Sequence, residues 1–277
     1  VNGVGMGVYS ATFGPVTPRT VPTSPTSVVA LARNGAARVS WAAPVSNGGL
    51  AITGYTVTAD IGGSTCTTSG ALTCDVEGLT NGTTYTFTVR ARNAVGTSAR
   101  SAASSATTPR TVPGRPTAVV AVAGNGSAEI RWKAPVSNGG SAITAYTATS
   151  SDGVRSCTTG GELTCQITGL ANGTDYTFRV TATNIAGTST NSAASAVVTP
   201  VTVPDAPTSV VAVAGNGTAT VSYKAAKNGG SVVTGYTVTS SGGGHTCTTH
   251  AALTCAVTGL TNGVAYTFTV TATNAVG

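Results

Sequence analysis

Residues 78–96 read GLTNGTTYTFTVRARNAVG, and the second half of this stretch decides the fold. From Tyr85 onward the side chains alternate: Tyr85, Phe87, Val89 and Ala91 are apolar, whereas Thr86, Thr88, Arg90 and Arg92 are polar. A period of two puts each set on its own face of an extended strand, as in a half-buried antiparallel sheet; a helix would repeat its apolar positions every three or four residues. Working outward, ARVSWAAP (37–44) and AITGYTVTA (51–59) show the same habit, rich in β-branched and aromatic residues and bounded by Gly, Asn and Pro. No amphipathic helical pattern is present, and short strands with a turn signal about every ten residues predict a β-sandwich.

The opening stretch returns as GLANGTDYTFRVTATNIAG (169–187) and GLTNGVAYTFTVTATNAVG (259–277). Trp41, Trp132 and Tyr223 are 91 residues apart, and TVP (20–22, 111–113, 202–204) and NGG (47–49, 138–140, 228–230) keep the same phase. Such a period marks a tandem array. It divides the 277 residues into an orphan segment at 1–19, a first module at 20–110, a second at 111–201 and a third at 202–277.

A Pro-rich start (VPTSPTSVVA, 21–30), a Trp in VSWAAP (39–44), a Tyr in ITGYTVTA (52–59) and then the 78–96 stretch together resemble the fibronectin type III module, in the variety found in tandem in secreted bacterial proteins. Leu79 followed by Tyr85 resembles that fold's tyrosine corner. The resemblance covers nearly the whole chain. It implies an all-β protein of three tandem fibronectin type III-like, immunoglobulin-like sandwiches, each with seven strands in two sheets.

Each module also carries a C-x7-C pair: Cys66 and Cys74, Cys157 and Cys165, Cys247 and Cys255. Such pairs are no general feature of the family. Three even pairs at one phase suggest three local disulfides and an extracellular location. On the resemblance, each pair joins the fourth and fifth strands. The rival reading, a metal site, rests only on His245 and His250 in the third module, and the first two modules contain no His.

Composition excludes several classes of function. The eight acids, Asp60, Asp75, Glu77, Glu129, Asp152, Glu162, Asp175 and Asp205, never share a column of the repeat, so no carboxylate site is built into the module and no catalysis or cofactor is expected. The Gly clusters NGG and SGGGH sit in predicted loops without a following helix, and no phosphate-binding loop results. The 14 Lys and Arg are spread over three modules rather than gathered on a face, which argues against nucleic acid. Weak attraction to an acidic cell-surface polysaccharide fits the net charge of +6. Thr, Ser and Gly interrupt every apolar run, so membrane insertion is not expected, and VNGVGMGVYS (1–10) lacks the charged and apolar regions of a signal peptide. Asn-Gly-Thr/Ser sequons at Asn81, Asn125, Asn172 and Asn216 are read as Asn-Gly turns in preference to glycan acceptors.

The repeat frame is cut one strand out of register at the termini. Residues 6–19, MGVYSATFGPVTPR, fall in the phase of TSARSAASSATTPR (97–110), and the third module reaches Gly277, the phase of Gly96, without a counterpart of that last strand. This predicts an open edge beside Tyr266, Phe268 and Val270, and a donor strand carrying Met6, Val8, Tyr9 and Phe13. Two explanations stay open: a subunit that completes its neighbour, copy to copy and head to tail, or a window on a longer array of adjoining modules. The leading expectation is an extracellular structural protein forming or extending a surface filament. The alternative is a set of non-catalytic spacer or binding modules of a secreted polysaccharide-degrading enzyme or adhesin stalk.

Overall fold

A computed structural model describes Val4 and residues 10–277. The described residues contain strands and no helix. By their contacts they divide into two compact units, 1–111 with 139–141, and 112–138 with 142–277.

In the first module the strands are β1 (Thr26–Arg33), β2 (Ala36–Ala42), β3 (Gly54–Ala59), β4 (Thr65–Thr68), β5 (Thr73–Glu77) and β6 (Phe87–Arg92). They form two antiparallel sheets, β1-β2-β5 and β4-β3-β6. The second module repeats this with β7 (Thr117–Gly124), β8 (Ser127–Lys133), β9 (Ile143–Ser150), β10 (Ser156–Thr159), β11 (Thr164–Thr168) and β12 (Phe178–Asn184), followed by the two-residue β13 (Gly187–Thr188). The third has β14 (Thr208–Gly215), β15 (Thr218–Lys224), β16 (Gly235–Ser240), β17 (Thr246–Thr249), β18 (Thr254–Thr258) and β19 (Phe268–Thr273).

Alternation in sequence becomes alternation in burial. Ala37, Val39 and Trp41 of β2, Tyr55, Val57 and Ala59 of β3, Val76 of β5, and Phe87, Val89 and Ala91 of β6 close over one another between the two sheets of the first module. The aromatic pair at the core is tilted: the ring centroids of Trp41 and Tyr55 lie 5.3 Å apart, those of Trp132 and Tyr146 5.7 Å, and those of Tyr223 and Tyr236 5.1 Å. The indole N–H groups of Trp41 and Trp132 are buried without a hydrogen-bond acceptor, whereas the Tyr223 hydroxyl in the third module reaches Ala252 O at 3.1 Å.

The first strand of each module is an edge strand with a bulge. Ser27, Ala118 and Ser209 adopt positive φ (52°, 51° and 53°), and the pairing with the second strand slips at these points. A bulge bends an exposed edge away from the flat geometry on which another sheet would pair.

Two polar clamps hold the loops. The Tyr85 hydroxyl accepts from Thr80 N–H at 3.1 Å, Tyr176 from Ala171 at 3.1 Å and Tyr266 from Thr261 at 3.2 Å, which is the corner anticipated from Leu79 and Tyr85. Asn93, 1% exposed, donates to Thr20 O and Asn47 O, both at 2.8 Å, and accepts from Val95 and Gly96 N–H. One side chain thus ties the loop after β6 to the module's start and to its NGG turn, and Asn274 repeats this with Thr202 O and Asn228 O.

Replacing Tyr85 by Phe leaves Thr80 N–H without its acceptor. The expected cost is about 0.5–1.5 kcal/mol, read as a lower urea midpoint for the first module's share of the Trp fluorescence transition; an unchanged midpoint would contradict the role of the corner.

Candidate functional site

The three Cys pairs are bonded as disulfides, with Cα separations of 6.2 Å for Cys66–Cys74, 6.2 Å for Cys157–Cys165 and 6.1 Å for Cys247–Cys255. Each joins the fourth strand of its module to the fifth, and those two strands belong to different sheets. The covalent link therefore staples the sandwich across its layers, at the side where the four-residue β4, β10 and β17 contribute least to pairing.

The charged groups do not converge. Arg38 grips Asp75 through Nε and Nη2 at 2.8 and 2.7 Å, and this hydrogen-bonded pairing holds the Asp75 carboxyl below its ordinary range. The Thr86 N–H does the same for Asp60, and the Ser150 hydroxyl for Asp152. These carboxylates are engaged in turns and cross-strand pairs. No cluster of three or more His, Cys, Asp or Glu is placed to hold a metal ion among the described residues. The sequon residues Asn81 and Asn172 are engaged as well: Asn81 accepts from Gly35 N–H at 2.9 Å and donates its amide to Asn34 at 2.8 Å, and Asn172 does likewise with Gly126 and Asn125.

Most of the described aromatic side chains, the usual platforms for sugar rings, face inward; Phe13, Tyr266 and Phe268 do not. Trp41, Trp132, Tyr223, Tyr55, Tyr146, Tyr236, Tyr85, Tyr176, Phe87 and Phe178 are all buried. What the outer face of the β3 sheet and its counterparts presents is threonine: Thr56 beside Thr67, Thr147 beside Thr158, and Thr237 between Thr248 and Thr271. This surface offers hydroxyl and methyl groups, with Arg90 opposite Thr56, Arg92 opposite Gly54 and Arg179 opposite Thr149 as the charges on it.

The segment that completes each module departs from the expected seventh strand. In the first module Ser98, Ser101 and Ser104 donate their amides to Ala91, Val89 and Phe87 O at 2.8, 2.9 and 2.9 Å. Their hydroxyls accept from the amides of the same three residues at 3.0, 2.9 and 3.1 Å. The partner advances three residues for every two along β6, and Tyr85 and Thr107 then exchange a regular pair of bonds at 2.9 Å. Two strand residues span roughly 6.6–6.8 Å, so this segment is contracted, and a serine hydroxyl supplies the acceptor that an extended strand would supply from its backbone. Ser189, Ser192 and Ser195 repeat the pattern on Ala182, Val180 and Phe178. The signal, Ser-x-x-Ser-x-x-Ser, is visible in the sequence; its period of three matches neither a strand nor a helix, and so it escapes a search for either.

On the third module this side is an open cleft of about 300 Å³, lined by Ala212, Ala214, Leu260, Ala265, Tyr266 and Phe268. Tyr266 and Phe268 are half-exposed where Tyr85 and Phe87 are buried, while Val270 stays 7% exposed. Of the expected donor residues, Met6, Val8 and Tyr9 lie outside the described residues, and Phe13 is 96% exposed. Residues 10–19 carry no strand.

The family model for the fibronectin type III domain matches residues 21–107, 113–198 and 205–277. Chitinase A1 of Niallia circulans is 35% identical over 159 residues, 54% of this chain and 21% of that protein. Exoglucanase B of Cellulomonas fimi is 35% identical over 180 residues, 61% of this chain and 16% of that protein, so the chain spans about a fifth or less of these relatives' length. The chicken CNTN1 FN1–FN3 crystal structure aligns over 93% of this chain and 95% of its own with 19% identity and a TM-score of 0.37.

Two variants test the closure of the sandwich. Ser101→Ala leaves the buried Val89 N–H without an acceptor and is expected to cost about 1–3 kcal/mol; replacing Cys66 and Cys74 together by Ser is expected to cost roughly 2.5 kcal/mol through the freed loop. Both are read by chemical denaturation of the whole chain, and wild-type midpoints would contradict the assignment. With each module carrying the two-sheet core, the corner tyrosine and the family match, the chain belongs to the fibronectin type III domain family, as three tandem copies.

Proposed function

We propose that this chain is a non-catalytic spacer array of a secreted polysaccharide-degrading protein. The observation that carries this reading is the match to short portions, 21% and 16%, of a chitinase and an exoglucanase. Three domains of one family occupy residues 21–277 apart from the linkers, and no catalytic domain lies among them. Inward-facing aromatics support a spacer over a sugar-binding module, because a flat polymer is gripped by exposed rings. The three disulfides support an extracellular location.

The second reading is a head-to-tail filament built by strand donation into the cleft beside Tyr266 and Phe268. The orphan segment suits that cleft poorly. In the repeat frame it places Gly7, Ser10 and Phe13 where Ser98, Ser101 and Ser104 stand, and so it brings one hydroxyl in place of three.

Sedimentation of the purified chain with insoluble chitin and with cellulose tests the spacer reading. The chain is expected to stay in the supernatant with both; retention on either polymer would turn the reading to a binding module. Concentration-dependent fibres that vanish on deletion of residues 1–16 would instead favour the filament.

A further inference from the structure

The second and third modules fall within one compact unit, and their junction is built from backbone. Pro200 O accepts from Gly173 N–H of the second module at 2.8 Å, and Thr202 N–H donates to Gly229 O of the third at 2.8 Å. Asn274 of the third module also donates to Thr202 O at 2.7 Å. Only Val201 separates the two anchored linker residues, which leaves no length of chain to act as a hinge.

Above the linker, two turns touch. Gly173 and Gly230 have φ of +82° and +88°. A Cβ on Gly173 would lie 3.0 Å from Gly230 Cα, and a Cβ on Gly230 would lie 2.8 Å from Asn172 C and 3.0 Å from Gly173 Cα. The shorter Gly230 distance is below what real side chains reach, and the Gly173 distance is one that only a shift of the Gly230 backbone by a few tenths of an ångström would relieve, so the contact requires glycine at 230 and is tight at 173. Each turn is braced from behind: Asn172 Oδ1 accepts from Gly126 N–H at 2.8 Å, and Asn228 Oδ1 accepts from Gly230 N–H at 3.0 Å.

We propose that the Asn172-Gly173 turn and the Asn228-Gly229-Gly230 turn form an inter-module docking surface that fixes the third module on the second, so that the pair tumbles as one rigid body. The partner this surface takes is the Asn-Gly-Gly turn of a following module, received backbone to backbone with the linker bonded to both sides. For function, the joint makes a spacer of set length instead of a flexible tether. That consequence rests on the spacer reading above, whereas the joint itself does not.

The third module supplies an internal control. Gly263 occupies the same turn as Gly173 with the same φ of +82°, yet a Cβ there would meet nothing within 4 Å. Gly263→Ala therefore carries the strain of alanine at positive φ without a clash at a joint. Residual dipolar couplings on the whole chain read the outcome. In the wild type the amides of the second and third modules are expected to fit a single alignment tensor. Gly173→Ala is expected to split it into two, and Gly263→Ala to leave it single. Should Gly173→Ala fail to fold, a Gly-Ser insertion after Val201 alters neither module and is expected to give two tensors as well. Two tensors in the wild type, one tensor in Gly173→Ala or in the insertion variant, or two in Gly263→Ala would overturn the proposal. These outcomes are independent of the polymer sedimentation result, so a failed joint and a failed spacer reading are told apart.

Discussion

The amides of Phe87, Val89 and Ala91 point away from β3, toward the open side of their sheet, and the module depends on finding them acceptors. Each lies among fully buried side chains, where an unpaired N–H costs about 1–3 kcal/mol. Three serine hydroxyls meet the demand, and the amides of the same serines satisfy the facing carbonyls. Closure of this edge is what allows Phe87 and Phe178 to be fully buried, and on the third module, where the side is open, Phe268 is half-exposed. The core and the last segment are thus one problem: the apolar face of the sixth strand cannot be dry until its edge is bonded.

Much of this was legible in the sequence. The two-residue alternation at Tyr85, Phe87 and Val89 reports burial directly, because side-chain direction in a strand has period two. Leu79 and Tyr85 announce the corner, and the repeated Cys spacing announces the staples. The last segment was not legible as what it is. A contracted chain bonded through side-chain hydroxyls has the composition of a linker, and its period of three belongs to no regular element. The bulges were hidden for a related reason: Ser27, Ala118 and Ser209 hold positive φ without the glycine that usually advertises it. The Gly173–Gly230 contact was also out of reach, since Asn-Gly reads as a turn whether or not another turn rests on it.

The proposed spacer reading rests on where the chemistry has been placed. The repeated Trp and Tyr are spent on the core, the engaged carboxylates serve turns and strand pairs, and the outer sheet face is mainly threonine. A small sandwich of this kind buries a limited core, and the disulfide across its two sheets compensates where the strands are shortest. Stability and a short bonded linker are what the proposed spacer would need.

The most direct test of the account is residue-resolved hydrogen exchange on the 277-residue chain. The amides of Phe87, Val89 and Ala91 and those of Phe178, Val180 and Ala182 should be strongly protected, while those of Phe268, Val270 and Ala272, which have no serine-spaced segment beside them, should exchange far faster than their counterparts. Equal protection in all three modules would contradict the claim that serine-spaced closure is what completes the sandwich.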